Sequence, residues 1–289
     1  MVNRYMFVFL VLLATSLMGS SFAVGKVGLS YVSPLLLVGI RFTLAGIILA
    51  LAVKIKRRRF PETLQDWARL LLIGVCQTAA VMGCIFLSMR TITAGETSIL
   101  TFVNPLLVVV LGVVFMGLKY RMYQWIGVLI GFAGVFVTLG FHVRLSEGTL
   151  LGLGSALAWA IATLLVKKWG PRFDNWTLTA FQMLFGGLLL LLLAISVETP
   201  RLILNWTSWG VILYLAILGS IVQFATWYYL LSKGDPGRTS AFLFLAPFFG
   251  VLSGWFILGE VIHWYVYVGG LCIFIGIFLV NWTRGSKKT

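Results

Sequence analysis

Apolar residues in this chain are grouped into long runs, and polar residues are confined to the short segments between them. The runs hold almost no charge and are about 20 residues long, the length that a helix requires to cross a hydrocarbon core about 30 Å thick. This pattern predicts an all-α integral membrane protein whose solvent is the lipid bilayer. Ten runs meet this length, and the predicted transmembrane helices are residues 6–25, 33–53, 67–89, 94–118, 123–141, 148–166, 176–196, 209–232, 237–259 and 264–282.

The first run also fits a secretory signal, because Arg4 precedes it and Ser21-Phe22-Ala23 lies near its end. We expect it to be retained as a helix, since its removal would spoil the alternation of charge between the two sides of the membrane. The segments between the runs are short, so we expect no soluble catalytic domain.

Charge is scarce and mostly basic: 10% of the residues are charged, and 22 lysines and arginines outnumber eight acidic residues, for a net charge of +14. With the N-terminus inside, Arg41 falls within a helix and most other basic residues lie inside; those outside are Lys26, Arg90, Arg144 and Arg201. Because basic residues accumulate on the cytoplasmic side, both termini are predicted to be cytoplasmic. Short basic loops meet lipid headgroups, so we expect no nucleic-acid partner.

The two halves of the chain align without gaps when one is shifted by 142 residues. The repeat predicts a first unit at residues 1–143 and a second at 144–289, each with five helices. Since five is odd, the second unit enters the membrane from the opposite side, and such inverted repeats are typical of secondary transporters. The matched pairs include Lys26 with Lys168, Trp67 with Trp209, Thr97-Ser98 with Thr239-Ser240, Pro105 with Pro247, and Gly134 with Gly276.

Pro105 and Pro247 are matched by the repeat and lie near the middle of their predicted helices. A proline inside a helix removes one backbone hydrogen bond and exposes polar groups, which in lipid need a partner or a wet cavity. Interrupted helices matched across two repeats indicate a binding site in transporters. The alternative is a kink that serves packing only.

Several segments resemble the EamA-type transporters of the drug/metabolite transporter superfamily. They are Met18-Gly-Ser-Ser-Phe-Ala-Val-Gly-Lys26, Ser33-Pro34, Gly39-Ile-Arg41-Phe-Thr-Leu-Ala45 and Leu258-Gly259-Glu260. The resemblance implies a ten-helix carrier for metabolites, often amino acids or related compounds, and often an exporter. One departure is that Glu260 has no acidic counterpart in the first half, where Gly117-Leu118-Lys119 stands.

Arg41 is the only charged residue well inside a predicted span. An arginine at this depth is costly unless it reaches water, a carbonyl group or a charged partner. Two roles are open for it: binding a substrate carboxylate through its planar fork, or joining two helices by hydrogen bonds to backbone carbonyls.

Other polar and aromatic residues inside the apolar runs are candidates for a substrate pathway, although such residues also serve as contacts between membrane helices. They are Ser16, Ser20, Gln77, Asn104, Trp159, Gln182 and Tyr228. Glu96 and Glu260 lie near the predicted outer side and could carry a proton or act in gating; alternatively, Glu96 stabilises a helix N-terminus. The three cysteines and two histidines lack the spacing of a metal site, and we expect no cofactor.

The leading hypothesis is a secondary-type transporter that exports small metabolites, such as amino acids or related compounds, by alternating access in a cell membrane, the inner membrane in a prokaryote. A multidrug efflux carrier is an alternative within this class. A membrane-embedded enzyme acting on lipid-linked substrates would require clustered His, Asp or Glu, and a channel would require a filter-like segment, and the sequence shows neither. Because one chain holds both repeats, a monomer could suffice.

Overall fold

The computed structural model describes residues 4–117, 121–138, 146–233 and 245–282, which are helical apart from short connections. We number the helices in chain order. They are α1 (Arg4–Leu29), α2 (Pro34–Ile55), α3 (Leu64–Gly74, Val75–Ala80 and Val81–Ser88 in succession), α4 (Ala94–Thr101 and Asn104–Met116), α5 (Met122–Thr138), α6 (Glu147–Trp169), α7 (Asn175–Val197), α8 (Trp206–Leu213, Tyr214–Val222 and Gln223–Lys233 in succession), α9 (Leu245–Leu258) and α10 (Trp264–Asn281).

Seven of these helices are long and apolar enough to cross a membrane: α1, α2, α3, α4, α6, α7 and α8. Within the described residues α5, α9 and α10 are apolar but shorter. Parts of the predicted spans at 94–118, 123–141 and 237–259 lie outside the described residues. The protein is therefore a multi-pass membrane protein, while the count of ten spans stays a prediction.

Several helices begin before the apolar run that predicted them, because polar residues cap their first turns. The Thr63 hydroxyl accepts a hydrogen bond from the Asp66 backbone N–H at 3.1 Å, and α3 starts at Leu64, three residues ahead of the predicted span. In α8 the Asn205 side chain accepts from the Ser208 N–H at 2.8 Å, and the Ser208 hydroxyl accepts from the Asn205 N–H at 2.9 Å. Such reciprocal caps satisfy backbone donors that have no partner within the helix.

The helices pack in pairs that relate the two halves of the chain. α2 lies along α7, α5 lies along α10, α1 contacts α8 and α9, and α6 contacts α3 and α4. The same set of contacts results when each helix of the first half (α1 to α5) is exchanged with its counterpart in the second half (α6 to α10). This pairing is what the predicted repeat requires, although the opposite orientation of its halves stays a prediction.

Glycines allow the closest of these helix contacts. A Cβ atom placed on Gly276 of α10 would lie 2.6 Å from the Gly131 nitrogen of α5, and one on Gly134 would lie 2.7 Å from the Gly269 carbonyl oxygen. A Cβ on Gly46 of α2 would lie 2.6 Å from the Leu184 nitrogen of α7. Small residues are favoured between membrane helices because they let backbones approach closely.

The connections between helices gather at two ends of the molecule, which we call the Glu260 end and the Asp66 end. At the Glu260 end the Ser33 N–H donates to the Arg201 carbonyl oxygen at 3.0 Å, joining the α1–α2 and α7–α8 connections. At the Asp66 end Arg172 lies 3.6 Å from Asp66, joining the α2–α3 and α6–α7 connections. The connections at each end are those that the charge pattern assigns to one side of the membrane. Which end faces the cytoplasm stays a prediction.

Candidate functional site

A cavity of about 310 Å³ lies between α1, α2, α3, α6 and α8, and side chains of α4 and α7 complete its wall. Most of the wall is apolar or aromatic. Apart from two tryptophans, its polar side chains are those of Ser21, Arg41, Gln77, Thr163, Gln182 and Gln223. Sites for small molecules usually enclose about 300–1,000 Å³ and combine apolar walls with a few polar groups. The cavity therefore has the size and lining of a site for a small solute.

The cavity adjoins a second hollow at the Asp66 end of the molecule. Val166 of α6 and Leu178 of α7 line it and also line a second hollow at this end, beside Lys167 and Asn175. On the side of the Glu260 end the wall is made by buried Phe86 and Phe102.

π-helical turns interrupt α3 at Val75–Ala80 and α8 at Tyr214–Val222. A shift of 142 residues moves the first turn onto residues 217–222, within the second, so the two turns occupy matching places in the predicted repeat. A π-helical turn inserts a residue into a helix and frequently occurs at functional sites. Gln77 lies in the first turn and Gln223 directly follows the second, and both side chains line the cavity.

Arg41 lies in the middle of α2 and is only 3% exposed. Its Nε donates a hydrogen bond to the Ser220 Oγ at 2.8 Å, and its Nη2 donates to the Gly219 carbonyl oxygen at 2.6 Å. The guanidinium carbon also lies 4.7 Å from the centre of the Phe42 ring, within the range of a cation–π contact. Arg41 therefore joins α2 to the π-helical turn of α8 while it lines the cavity, and the two roles open to it in the sequence are compatible.

Gln182 of α7 makes the corresponding contact in the other half of the molecule. The Thr78 hydroxyl, in the π-helical turn of α3, donates to the Gln182 Oε1 at 2.8 Å. Thr78 matches Ser220 at the shift of 142 residues, and Gln182 lies one position from the residue that matches Arg41. The two halves thus present similar helix contacts to the cavity, one through a cation and the other through a neutral amide.

Three aromatic side chains from three helices form one continuous part of the wall. The ring centres of Phe22 in α1 and Phe102 in α4 are 6.3 Å apart, and those of Phe102 and Trp159 in α6 are 5.4 Å apart in an edge-to-face arrangement. Phe102 lies where α4 is broken, between Thr101 and Asn104. The break therefore places an aromatic ring at the cavity.

Glu260 joins three helices at the Glu260 end, and we call this group of contacts the Glu260 latch. Its Oε1 accepts from the Ala94 N–H at 2.7 Å and its Oε2 from the Gly95 N–H at 3.2 Å, at the first turn of α4. The Lys26 Nζ at the end of α1 lies 3.3 Å from Oε1 and donates to the Ile92 carbonyl oxygen at 2.7 Å. A carboxylate at a helix N-terminus is favoured by the helix dipole and by charge-assisted hydrogen bonds. The latch thus holds α1, α4 and the end of α9 together.

Ion pairs between segments at the Asp66 end are more exposed to solvent. Asp66 lies 2.9 Å from Arg69 and 3.6 Å from Arg172, and Arg58 lies 3.6 Å from Asp174. The side chains of Arg58 and Arg172, which pair with residues of other segments, are 48% and 58% exposed, whereas those of Lys26 and Glu260 are 29% and 10% exposed. The Arg69–Asp66 pair is 16% and 15% exposed but lies within α3. Exposed ion pairs contribute little to stability, so the pairs between segments contribute more at the Glu260 end.

The structure brings four of the sequence-predicted site residues to the cavity: Arg41, Gln77, Trp159 and Gln182. Gln77 and Trp159 come from α3 and α6, which contact each other, and Arg41 and Gln182 come from the α2 and α7 pair.

Other predicted residues lie elsewhere in the described part of the chain. The Ser16 hydroxyl donates to the Leu13 carbonyl oxygen at 3.0 Å, and the Ser20 hydroxyl pairs with the Tyr214 hydroxyl at 2.6 Å. The side chains of Ser16, Ser20, Asn104, Pro105 and Pro247 are not among the described residues of the cavity wall.

The remaining predictions concern three residues near the ends of helices. The Tyr228 side chain lies outside the described residues. Glu96 forms a capping box with Thr93 at the start of α4, with 3.0 Å hydrogen bonds in both directions. Both Glu96 and Glu260 border a hollow of about 150 Å³ at the Glu260 end, apart from the larger cavity.

Sequence reasoning missed several residues of the cavity wall, including Ser21, Phe22, Phe102, Gln223 and Trp227. Ser21 and Phe22 fall within a segment that resembles the family, and this position was the available signal for them. Phe102 adjoins Asn104-Pro105, so the proline break gave a hint. The chain has 22 phenylalanines and 11 tryptophans, which leaves single aromatic residues without a distinguishing mark.

The described wall of the cavity contains one cation and several amide, hydroxyl and indole groups, with no His, Cys, Asp or Glu. General acid–base or nucleophilic chemistry usually employs those side chains. The groups that are present can bind a solute by charge and by hydrogen bonds.

Comparison with known proteins gives the family. The sequence profile of the EamA-like transporter family matches the chain over residues 6–140 and 146–282. The uncharacterized transporter YvbV of Bacillus subtilis (strain 168) is 28% identical, over 93% of this chain and 90% of its own length. An uncharacterized transporter of Archaeoglobus fulgidus is 27% identical, over 90% of this chain and 92% of its own. The WAT1-related protein At3g02690, chloroplastic, of Arabidopsis thaliana is 26% identical, over 93% and 67%.

A solved crystal structure whose description names no function has the same fold, with a TM-score of 0.66 at 19% identity and coverage of 96% of each chain. The names of the family and of the relatives indicate a transporter rather than an enzyme. This chain belongs to the EamA-like transporter family of the drug/metabolite transporter superfamily and is a membrane transporter of that type.

Proposed function

We propose that this chain is a secondary-type transporter of small metabolites, such as amino acids or related compounds, which it exports across a cell membrane by alternating access. The observation that carries the proposal is the cavity between two matching π-helical turns, which adjoins a second hollow at one end of the molecule. Discontinuous helices in corresponding positions of two repeats surround the substrate in many transporters. Because one chain holds both predicted repeats, the proposal includes a monomer as the working unit.

Two observations support the direction of transport. The cavity shares the wall residues Val166 and Leu178 with the hollow at the Asp66 end, and the charge pattern of the sequence assigns that end to the cytoplasm. The latch holds the opposite end closed. In this arrangement the protein takes up a solute from the cytoplasm, and release requires the latch to open while the Asp66 end closes.

The test is counterflow with the full chain in liposomes. Vesicles loaded with an unlabelled amino acid or related metabolite are diluted into the same labelled compound, and accumulation of label is followed for each compound of a panel. We expect transient, saturable accumulation for one chemical class. Flux that rises linearly with concentration would indicate a channel, and no flux with any compound would overturn the proposal. Efflux of bulky dyes as the better substrates would favour the multidrug alternative.

The latch provides a second test of alternating access. Glu260→Gln removes the charge that faces Lys26 while keeping an acceptor for the Ala94 N–H, so the closed Glu260 end should open more often. The expected result is faster modification of a cysteine at Phe22 by a water-soluble thiol reagent applied from the Glu260 end. Glu198→Gln is the matched control, because Glu198 accepts from the Leu36 N–H at 3.0 Å at the same end without joining α1 to α4. Equal modification rates in both variants would contradict a gating role for Glu260.

A further inference from the structure

The positive charge of Arg41 has no negative partner among the described residues of the cavity wall. Arg41 is buried, takes part in none of the ion pairs of the described residues, and the described wall contains no carboxylate. Its Nε and Nη2 donate to α8, whereas its Nη1 donates to no described residue. An arginine buried within a membrane protein usually pairs with an opposite charge or lines a path for ions or substrates.

The side chain of Gln182 adds a second donor to the same cavity. Its Oε1 is occupied by the Thr78 hydroxyl, and its amide N–H groups have no partner among the hydrogen bonds of the described residues. Gln182 is 2% exposed and lines the cavity together with Arg41. Neither the Arg41 Nη1 nor the Gln182 amide nitrogen is among the fully buried described atoms that lack a partner, so both remain accessible from the cavity. Both side chains therefore favour a solute that supplies acceptor oxygens.

The geometry points to an organic monocarboxylate with a flat apolar body as the solute, its carboxylate on the Arg41 Nη1. This inference rests on the proposed function, because it concerns the same cavity. One carboxylate neutralises one guanidinium, and hydrogen bonds between such charged groups are about twice as strong as neutral ones. A dianion such as a phosphate monoester would keep an uncompensated charge in an apolar wall.

The wall also disfavours a solute with a free ammonium group. Among the described lining residues the available acceptors are neutral oxygens of amides and hydroxyls, and the single charge is positive. An ammonium group would lose its hydration and gain only neutral acceptors, close to a cation of the same sign. Within the proposed class of amino acids and related compounds, the structure therefore favours acids that lack the amine.

The aromatic wall accounts for the flat apolar body. The rings of Phe22, Phe102 and Trp159 form a continuous surface with centre separations of 6.3 and 5.4 Å. A planar solute can lie against them in stacked or edge-to-face contact, which contributes beyond the burial of area alone. The volume of about 310 Å³ limits the body to a small ring system.

Three ligands that share a phenylethyl body test the inference directly. They are 3-phenylpropanoate (an anion), phenylethylamine (a cation) and phenylalanine (a zwitterion), and acetate serves as an anion without a ring. Binding of each to the purified full chain is measured by equilibrium dialysis at neutral pH. We expect 3-phenylpropanoate to bind at least tenfold more tightly than each of the other three. Equal or tighter binding of phenylethylamine or phenylalanine would overturn the inference.

Variants assign the preference to Arg41. Arg41→Gln removes the charge and should weaken 3-phenylpropanoate binding about tenfold or more, the usual effect of losing a charged hydrogen bond. Arg90→Gln is the matched control, because it removes an exposed positive charge outside the described cavity wall, and binding should change less than threefold. If Arg41→Gln fails to fold, Arg41→Lys, which keeps the charge and loses the planar fork, should weaken binding while preserving the preference for the anion.

The outcomes separate this inference from the proposed function. Saturable counterflow of another solute class, with no preference for 3-phenylpropanoate, would overturn the carboxylate site and leave the transporter in place. Tight binding of 3-phenylpropanoate with no counterflow of any compound would support the site and overturn the proposed activity. Unchanged binding by the folded Arg41→Gln variant would overturn the assignment of the carboxylate to Arg41.

Discussion

At the scale of single residues, the central question is how a guanidinium is stabilised within the membrane. The π-helical turn of α8 supplies Arg41 with the Gly219 carbonyl and the Ser220 hydroxyl. Ser220 is fully buried, and its hydroxyl also donates to the Leu215 carbonyl oxygen, five residues earlier, at 2.9 Å. The hydroxyl thus links the irregular backbone of α8 to the charge on α2. The charge and the irregular turn stabilise each other.

Ser220→Ala should therefore lower the stability of the protein. The Arg41 Nε loses its acceptor, and we expect the free energy of unfolding to fall by about 1–3 kcal/mol. Thermal unfolding of the detergent-purified protein measures the change. Ser196→Ala is the control, since the exposed Ser196 hydroxyl bonds only to the Leu192 carbonyl oxygen of its own helix. Equal midpoints for the two variants would refute the proposed dependence of Arg41 on Ser220.

Sequence alone distinguishes a residue only when its chemistry is unusual for its surroundings. Arg41 met this condition as a charge inside an apolar run, and Gln77 and Gln182 met it as amides in such runs. Phe22 and Phe102 did not, because aromatic residues are common throughout this chain. They form part of the cavity wall because α1, α4 and α6 pack together, and no local sequence pattern specifies that packing.

At the scale of helices, glycines matched by the repeat lie at helix contacts and helix ends, whereas the matched Pro105 and Pro247 are not among the described residues of the cavity wall. The matched glycines of α5 and α10 lie where the two backbones meet, and Gly117 and Gly259 end α4 and α9 with φ values of 62° and 65°, a left-handed conformation suited to glycine. The π-helical turns of α3 and α8 were not predicted, because an inserted residue leaves the apolar composition of the run unchanged.

The α5–α10 contact can be tested by adding a single methyl group. Gly276→Ala places a Cβ against the Gly131 backbone, and we expect a loss of about 1–3 kcal/mol in the free energy of unfolding. Gly210→Ala is the matched control, because a Cβ there would meet no atom within 4 Å and alanine is the better helix former. We expect this control to be neutral or slightly stabilised. A stable Gly276→Ala variant would show that the helices lie farther apart.

At the scale of the whole molecule, the two ends differ in how they are held together. The Lys26–Glu260 pair of the latch is partly buried, whereas the ion pairs between segments at the Asp66 end include arginines that are about half exposed. The apolar runs predicted the all-helical membrane fold, and the sidedness that the charge pattern assigns stays a prediction. Neither pattern could predict the latch, because it depends on contacts such as Glu260 with Ala94 that lie 166 residues apart in the chain.

Single cysteines test both the orientation and the open side. The background is a chain whose three native cysteines (Cys76, Cys84 and Cys272) are replaced by alanine. In this background Thr163→Cys in the cavity should react with a water-soluble thiol reagent only when the reagent is on the side of the membrane from which it also modifies Glu62→Cys. Ser30→Cys, exposed at the Glu260 end, should react from the other side. Intact cells and inverted vesicles give the two sides, and we expect Glu62→Cys to react from the cytoplasm. Faster reaction of Thr163→Cys from the Ser30 side would contradict the described access.

Arg41 and Gln182 hold near-equivalent places, yet only one carries a charge, and the residue that matches Arg41 at the shift of 142 is the buried Met183. A protein assembled from two identical halves would direct either two guanidinium groups into one small cavity or none. Two would repel each other, and a solute with a single charged group could lie equally well in either of two reversed poses. Because both halves belong to one chain, each can diverge without the other. If the solute binds Arg41 as proposed above, we expect it to keep one head-to-tail orientation in the cavity, a polarity that a symmetric backbone alone would not provide.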